Sequence, residues 1–187
     1  LTLMPHHFSC IRDHDTQSSQ AYTMNRILLV DDHPLLREGL TRLISSESGM
    51  MVCGTASSVQ EALAMVEAEK PNLVITDLTL PGRNGLELIK DLGATYPEIP
   101  TIVLSMHDEL FYAERVLRAG GRGYVMKDAP PDHLLKAIRT VLDGGVFASP
   151  AVTSHFLQAL SPGSPQTKPS FPLERLTDRE MEVFELI

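Results

Sequence analysis

The sequence contains no tryptophan, only 5% aromatic residues and only two cysteines. Cys10 lies in a polar N-terminal stretch and Cys53 in an apolar run, a placement that suits neither a disulfide framework nor a CxxC metal site. We therefore interpret both as free thiols. No apolar run approaches the roughly 20 residues of a membrane-spanning helix, and residues 1–23 show no secretory signal pattern. We expect a cytoplasmic protein that makes no membrane contact.

Positive charge is also scarce. The chain has 16 lysines and arginines but 24 aspartates and glutamates, which gives a net charge of −8. A molecule with this overall field does not attract nucleic acid, so any DNA contact requires a local basic patch. The chain nevertheless has 187 residues, of which 43% are hydrophobic. That is enough for the core of one domain and part of a second, which excludes a wholly disordered chain.

Residues 24–147 alternate short apolar runs with stretches of helical spacing. The predicted strands are residues 27–30, 51–53, 73–75, 101–104 and 123–126, and the predicted helices are residues 35–44, 59–69, 86–96, 109–119 and 131–142. Apolar runs without polar alternation indicate strands that are buried on both faces. This pattern predicts an α/β domain with a doubly wound, five-stranded parallel sheet.

The segments on either side of this domain lack its pattern. Residues 1–23 are predicted to be a disordered extension; the alternative, a metal site formed by His6, His7, Cys10 and His14, lacks a scaffold. Residues 148–172 are predicted to be a proline-rich linker with a short helix from Ser149-Pro150 to about Leu160. Residues 173–187 begin a second domain, whose first helix has a Thr177–Glu180 capping box. A single helix has no partner here, so we expect that all-α domain to be truncated.

Polar residues follow four of the five predicted strands: Asp31 and Asp32, Asp77, Ser105 and Lys127. Ligands of open parallel sheets bind at the carboxyl ends of the strands. Clustered carboxylates repel one another unless a cation lies among them, and Mg²⁺ prefers oxygen ligands beside a phosphate. An ammonium and a hydroxyl group suit the phosphate oxygens. The pattern therefore favours a magnesium-dependent phosphate site, although each residue alone could be a turn former, a helix cap or a solvated side chain.

Four segments in order resemble the signatures of a response-regulator receiver domain: ILLVDDHPLLREGL, VITDLTLPGRNGLEL, VLSMHDE and AGGRGYVMKDAP. The separations of 45, 28 and 22 residues from Asp32 to Asp77, Ser105 and Lys127 are also similar to that family. The tail LERLTDREMEVFELI resembles the start of a LuxR-type helix-turn-helix domain. Together they resemble the NarL/FixJ class, which implies a flavodoxin-like receiver fold with strand order 2-1-3-4-5.

The resemblance implies a role for each residue of the site. Asp77 would accept a phosphoryl group from the phosphohistidine of a sensor histidine kinase. Mg²⁺ would be bound by Asp31, Asp32, Asp77 and the main-chain carbonyl of Thr79. Lys127 would pair with the phosphate, Ser105 would donate to it, and Tyr124 would be the aromatic switch residue. From their positions two residues after Asp77 and Ser105, Thr79 and His107 are predicted to tune the lifetime of the phosphoryl group.

As a response regulator, the protein would not be an enzyme beyond slow self-dephosphorylation, and it would form a homodimer on phosphorylation. DNA would be bound only through the complete C-terminal domain, because the base-reading second helix would follow Ile187. The family often has proline after the lysine, whereas Asp128 stands here, so we expect a trans peptide bond. Gly82 and Gly85 are predicted to meet special backbone requirements in the turn after the third strand.

The sequence leaves three alternatives open. An aspartate-nucleophile phosphohydrolase would resemble D-x-D-x-T after the first strand, where this chain has Asp31-Asp32-His33. A flavin-binding module would need a phosphate-binding loop rich in Ser, Thr and Gly, and Asp31-Asp32 would repel that phosphate. A receiver-like docking module that is never phosphorylated would not need the full set of acidic residues.

Overall fold

The structure is a computed structural model, and it describes residues 24–154. Strands and helices alternate throughout the domain. The strands are β1 (Asn25–Val30), β2 (Met50–Ala56), β3 (Leu73–Thr76), β4 (Thr101–Ser105) and β5 (Gly123–Met126). The helices are α1 (Pro34–Ser45), α2 (Val59–Glu69), α3 (Gly85–Thr95), α4 (Glu109–Arg118) and α5 (Pro131–Leu142).

The five strands form one parallel sheet in the order β2-β1-β3-β4-β5. The predicted fold class and strand order are therefore confirmed. Because the strand order reverses next to β1, the carboxyl ends of β1 and β3 border the crevice where ligands of such sheets bind.

Strand β2 is longer than the predicted residues 51–53. It continues to Ala56, and a β-bulge at Cys53 shifts its register, so that Ile27 pairs with Val52 and Leu28 with Gly54. Gly54 and Thr55 are not apolar, so the hydrophobic pattern ended too early. Bulges of this kind are set by pairing between strands and leave little trace in a hydrophobic pattern.

Helices cover both faces of the sheet, because alternate residues of each buried strand point to opposite sides. Ile27 and Leu29 of β1 pack in a cluster with residues of α1 and α5. Leu28 and Val30 pack in a second cluster with residues of α2 and α3. A third cluster joins α3 and α4 to Tyr124 of β5. This packing fixes the strand ends, and therefore the site, on a rigid frame.

The predictions for residues 1–23 and 173–187, and for most of the linker, lie outside the described residues. The linker helix is described from residue 150 to residue 154, and Ser149 caps it by accepting a hydrogen bond from the Val152 N–H (3.3 Å). Among the described residues, no helix has the length and apolar character needed to cross a bilayer.

Candidate functional site

Three charged side chains meet at the carboxyl edge of the sheet. The Lys127 Nζ lies 2.7 Å from the Asp77 Oδ2 and 2.8 Å from the Asp31 Oδ2. Backbone hydrogen bonds like those of the sheet continue into Asp77 and Lys127. The Asp77 N–H donates to the Val30 carbonyl (2.8 Å), and the Lys127 N–H donates to the Ser105 carbonyl (2.8 Å). These side chains are 5–8% exposed. The structure therefore brings Asp31, Asp77 and Lys127 together, as the sequence predicted.

Burial and ion pairing act in opposite directions on these groups. Burial raises the pKa of Asp77, and the hydrogen bond and positive charge of Lys127 only partly oppose it. Burial lowers the pKa of Lys127, but its hydrogen bonds to Asp31 and Asp77 outweigh that effect and raise the pKa overall. Lys127 is therefore a stable ammonium placed against the carboxylate predicted to act as nucleophile.

Asp32 adds a third carboxylate to the cluster. Oxygens of Asp31, Asp32 and Asp77 and a ring nitrogen of His33 all lie within 4.8 Å of one another. The Asp32 Oδ1 is shielded from solvent and accepts no hydrogen bond, although the His33 Nδ1 lies 2.8 Å from it. A shielded carboxylate oxygen without a donor is costly unless a cation faces it. The residues present therefore fit a divalent cation with oxygen ligands, of which Mg²⁺ is the predicted one.

His33 occupies the mouth of this cluster. Its backbone N–H donates to the Asp31 Oδ1 (2.7 Å), and its Nδ1 lies 3.1 Å from the same oxygen. The imidazole is 68% exposed, so moving it aside would uncover little further surface. Arg37 of α1 donates to the main-chain carbonyl of Asp31. Neither His33 nor Arg37 was predicted to belong to the site, although both follow Asp31 closely in the chain, by two and six residues.

The turn after β3 depends on two glycines. Gly82 has φ +82°, a conformation that glycine adopts without strain. At Gly85, a Cβ atom would lie 2.0 Å from the carbonyl oxygen of Asp77, so no larger residue fits there without movement. The Asn84 side chain caps α3 by accepting from the Glu87 N–H (3.0 Å). Both glycines therefore have the special roles that the sequence predicted.

Ser105 and Tyr124 are both buried, at 0% and 1% exposure. The Ser105 Oγ accepts a hydrogen bond from the His107 N–H (3.3 Å), and the Tyr124 hydroxyl donates to the His107 carbonyl (2.8 Å). Burial raises the pKa of Tyr124, so the ring remains a neutral donor. The aromatic residue proposed as a switch thus points inward in this structure.

Thr79 and His107 come together across the site although 28 residues separate them. The Thr79 Oγ1 lies 2.9 Å from the His107 Nε2. The His107 ring also lies 4.9 Å from the ring of Tyr112, at a tilt of 34°. The described residues contain no cis peptide bond, so the Lys127–Asp128 bond is trans.

Comparisons with known proteins agree with this geometry. Residues 27–139 match the family model described as the response regulator receiver domain. The transcriptional regulatory protein DegU of Brevibacillus brevis is 32% identical over 174 residues, which cover 87% of this chain and 74% of DegU.

Two solved structures extend the comparison. A LuxR-family two-component response regulator from Aurantimonas sp. SI85-9A1 is 34% identical with a TM-score of 0.67, over 72% of this chain and 96% of that one. RcsB from Salmonella enterica serovar Typhimurium, solved bound to a promoter with the phosphomimetic BeF₃⁻, is 26% identical with a TM-score of 0.64, over 74% of this chain and 72% of that one. The chain therefore belongs to the response regulator receiver family, and it is a phosphoacceptor-type response regulator of transcription similar to the LuxR-family members.

Proposed function

We propose that Asp77 is the phosphoryl acceptor of this response regulator and that a phosphohistidine of a sensor histidine kinase is the donor. The observation that carries the proposal is the Lys127 ammonium 2.7 Å from Asp77 and 2.8 Å from Asp31, at the carboxyl edge of a parallel sheet. A buried carboxylate beside a fixed cation is suited to take up a phosphoryl group, because the cation offsets the charge that the group brings.

In this step an oxygen of the ionised Asp77 attacks phosphorus. The new phosphorus–oxygen bond forms while the phosphorus–nitrogen bond of the donor breaks, and the electron pair of that bond returns to the donor imidazole. The carboxylate needs no general base because it carries no proton to remove. We assign Lys127 to the developing charge on the equatorial oxygens, and the hydroxyl of the buried Ser105 to donation to one of them.

Asp31, Asp32 and Asp77, with the Thr79 carbonyl as a further ligand, are the residues that would bind Mg²⁺. The Asp32 Oδ1, which is shielded from solvent and accepts no hydrogen bond, supports this assignment. When bound, the ion would neutralise phosphate charge and orient the oxygens for in-line transfer. His33 would have to leave the two aspartates that it now contacts, and its exposed ring permits that movement.

Self-dephosphorylation is proposed to be slow and to depend on Thr79 and His107. Their side chains lie 2.9 Å apart and join the loop after β3 to the loop after β4. We infer that this contact flanks the approach of water to Asp77. If both residues are exchanged for alanine and the rate of dephosphorylation does not change, this part of the proposal is wrong.

The proposed consequences of phosphorylation, a homodimer and DNA binding, are based on the relatives. RcsB was solved bound to a promoter in the presence of a phosphomimetic, and this chain covers 72% of it. We infer that phosphorylation leads to a homodimer that acts on DNA in the cytoplasm. Residues 148–187 carry three basic and five acidic side chains, so this stretch has a net charge of 3 − 5 = −2. This stretch has no excess of basic side chains to pair with phosphates, so DNA binding is proposed for a complete C-terminal domain.

The decisive experiment is incubation with a small phosphoryl donor and Mg²⁺, followed by intact mass spectrometry. The expected result is one added phosphoryl group, which is absent in Asp77→Asn and present in the control Asp143→Asn, an exposed aspartate after α5. Rapid turnover of a small phosphate ester, with no stable gain in mass, would favour the phosphohydrolase alternative. No mass gain in any variant would favour the docking module.

A further inference from the structure

The segment that leaves the receiver domain is attached to the same elements as the site. Residues 146–154, called here the linker segment, lie along the free edge of β5 and against α4. Phe147 forms a parallel bridge with Gly123: the Phe147 N–H donates to the Arg122 carbonyl (2.9 Å), and the Tyr124 N–H donates to the Phe147 carbonyl (3.1 Å). The linker segment thus extends the sheet by one short strand pairing.

Two side-chain contacts complete the attachment. The Ser149 N–H donates to the Glu109 Oε1 of α4 (2.9 Å), a charge-assisted bond across 40 residues. Val152 is 3% exposed and lies in the cluster that contains Tyr112, Val116 and Tyr124. The contacts of the receiver fold therefore continue past the predicted boundary at Phe147.

These contacts connect to the proposed phosphorylation site through one short loop, residues 105–109. At its start, Ser105 accepts from the His107 N–H; in its middle, the His107 carbonyl accepts from the Tyr124 hydroxyl. At its end, Glu109 accepts from the linker segment. The inward Tyr124 ring also forms part of the surface on which Val152 packs. Residues 105–109 and Tyr124 thus connect Ser105 to both linker contacts.

We propose that the linker segment docks on α4 and β5 through a latch made by Glu109 and Val152, and that phosphorylation of Asp77 tightens this latch. The inference rests on the proposed function. A phosphoryl group on Asp77 accepts a hydrogen bond from the Ser105 hydroxyl, and a hydroxyl that donates becomes a better acceptor for the His107 N–H. The loop is then fixed on both sides, which keeps Tyr124 inward and Glu109 in place. Phosphorylation therefore favours the docked arrangement over an undocked one.

Hydrogen exchange of the 187-residue chain, read by mass spectrometry on peptides covering residues 146–154, tests the latch. Phosphorylation with a small donor and Mg²⁺ is expected to slow exchange there about fivefold or more, the lower range of allosteric couplings. Without phosphorylation, Glu109→Ala and Val152→Ala are each expected to speed it about tenfold, as for loss of one charge-assisted hydrogen bond or one buried apolar contact. Glu38→Ala, which removes a helical glutamate paired with Arg42 on α1, is the matched control and should leave it unchanged.

The intact mass of the same samples separates the two proposals. If one phosphoryl group is added and hydrogen exchange of the linker segment stays the same or becomes faster, the latch proposal is wrong and the proposed function stands. If hydrogen exchange of the linker segment in Glu109→Ala and Val152→Ala equals that in Glu38→Ala, the latch proposal is also wrong. If no phosphoryl group is added, both proposals are overturned together.

Discussion

Replacing Gly85 with alanine would place a methyl group against the backbone of the proposed acceptor residue. The added Cβ atom would lie 2.0 Å from the carbonyl oxygen of Asp77 and 3.0 Å from both the Asp77 carbonyl carbon and the Leu78 Cα. Rotation of a side chain cannot relieve this contact, because the opposing atoms belong to the main chain. Either the start of α3 or the Asp77 peptide must move.

The geometry sets the size of the effect. Non-bonded carbon and oxygen atoms need roughly 1 Å more separation than the structure leaves here. Overpacking of this kind costs about 1–3 kcal/mol of unfolding free energy. A shift of about 1 Å at a reacting group can reduce a rate by about 100-fold, so we expect phosphorylation of Gly85→Ala to be slowed on that order.

Urea denaturation and the rate of mass gain from a small phosphoryl donor measure both effects. Gly93→Ala is a matched control on the same helix, because no atom lies within 4 Å of its added Cβ. Alanine is the better helix former, so this control should gain about 0.5–1 kcal/mol and keep its phosphorylation rate. Wild-type stability and rate in Gly85→Ala would show that this close contact does not limit the position in solution.

Three further outcomes are expected. Mg²⁺ at 100 times its dissociation constant should raise the unfolding free energy by about 2.7 kcal/mol in the wild type and far less in Asp32→Asn. Equal increases in unfolding free energy would show that Asp32 does not bind the metal. Without metal, Lys127→Met should lose about 3 kcal/mol in denaturation experiments, since it leaves Asp31 and Asp77 buried without their cation; a stable variant would contradict the ion-pair assignment. Because burial raises the folded-state pKa of Tyr124, its contribution to stability is complete below the unfolded pKa of about 10 and is lost as pH rises towards the folded pKa. Between pH 9 and 11, wild-type stability should therefore fall more steeply than that of Tyr124→Phe, by up to about 1.4 kcal/mol per pH unit, and parallel curves would show that the ring is not buried in solution.

Much of the fold followed from local pattern. The apolar runs and helical spacing located all ten elements of the receiver domain, because strands buried on both faces are made mostly of apolar residues. The limits of β2 did not follow, since Gly54 and Thr55 gave no apolar signal and the bulge at Cys53 depends on pairing with β1. The predicted ends of α3 and α4 each extended one residue beyond Thr95 and Arg118, where capping decides the limit.

From the sequence alone it followed which strand ends carry the polar residues of the proposed site, because parallel strands place their carboxyl ends at one edge of a sheet. How these side chains meet depended on the three-dimensional fold. The Lys127 bridge between Asp31 and Asp77, the shielded oxygen of Asp32 and the contact between Thr79 and His107 join residues far apart in the chain. Such contacts depend on the packing of whole helices against the sheet, which no local pattern of residues encodes.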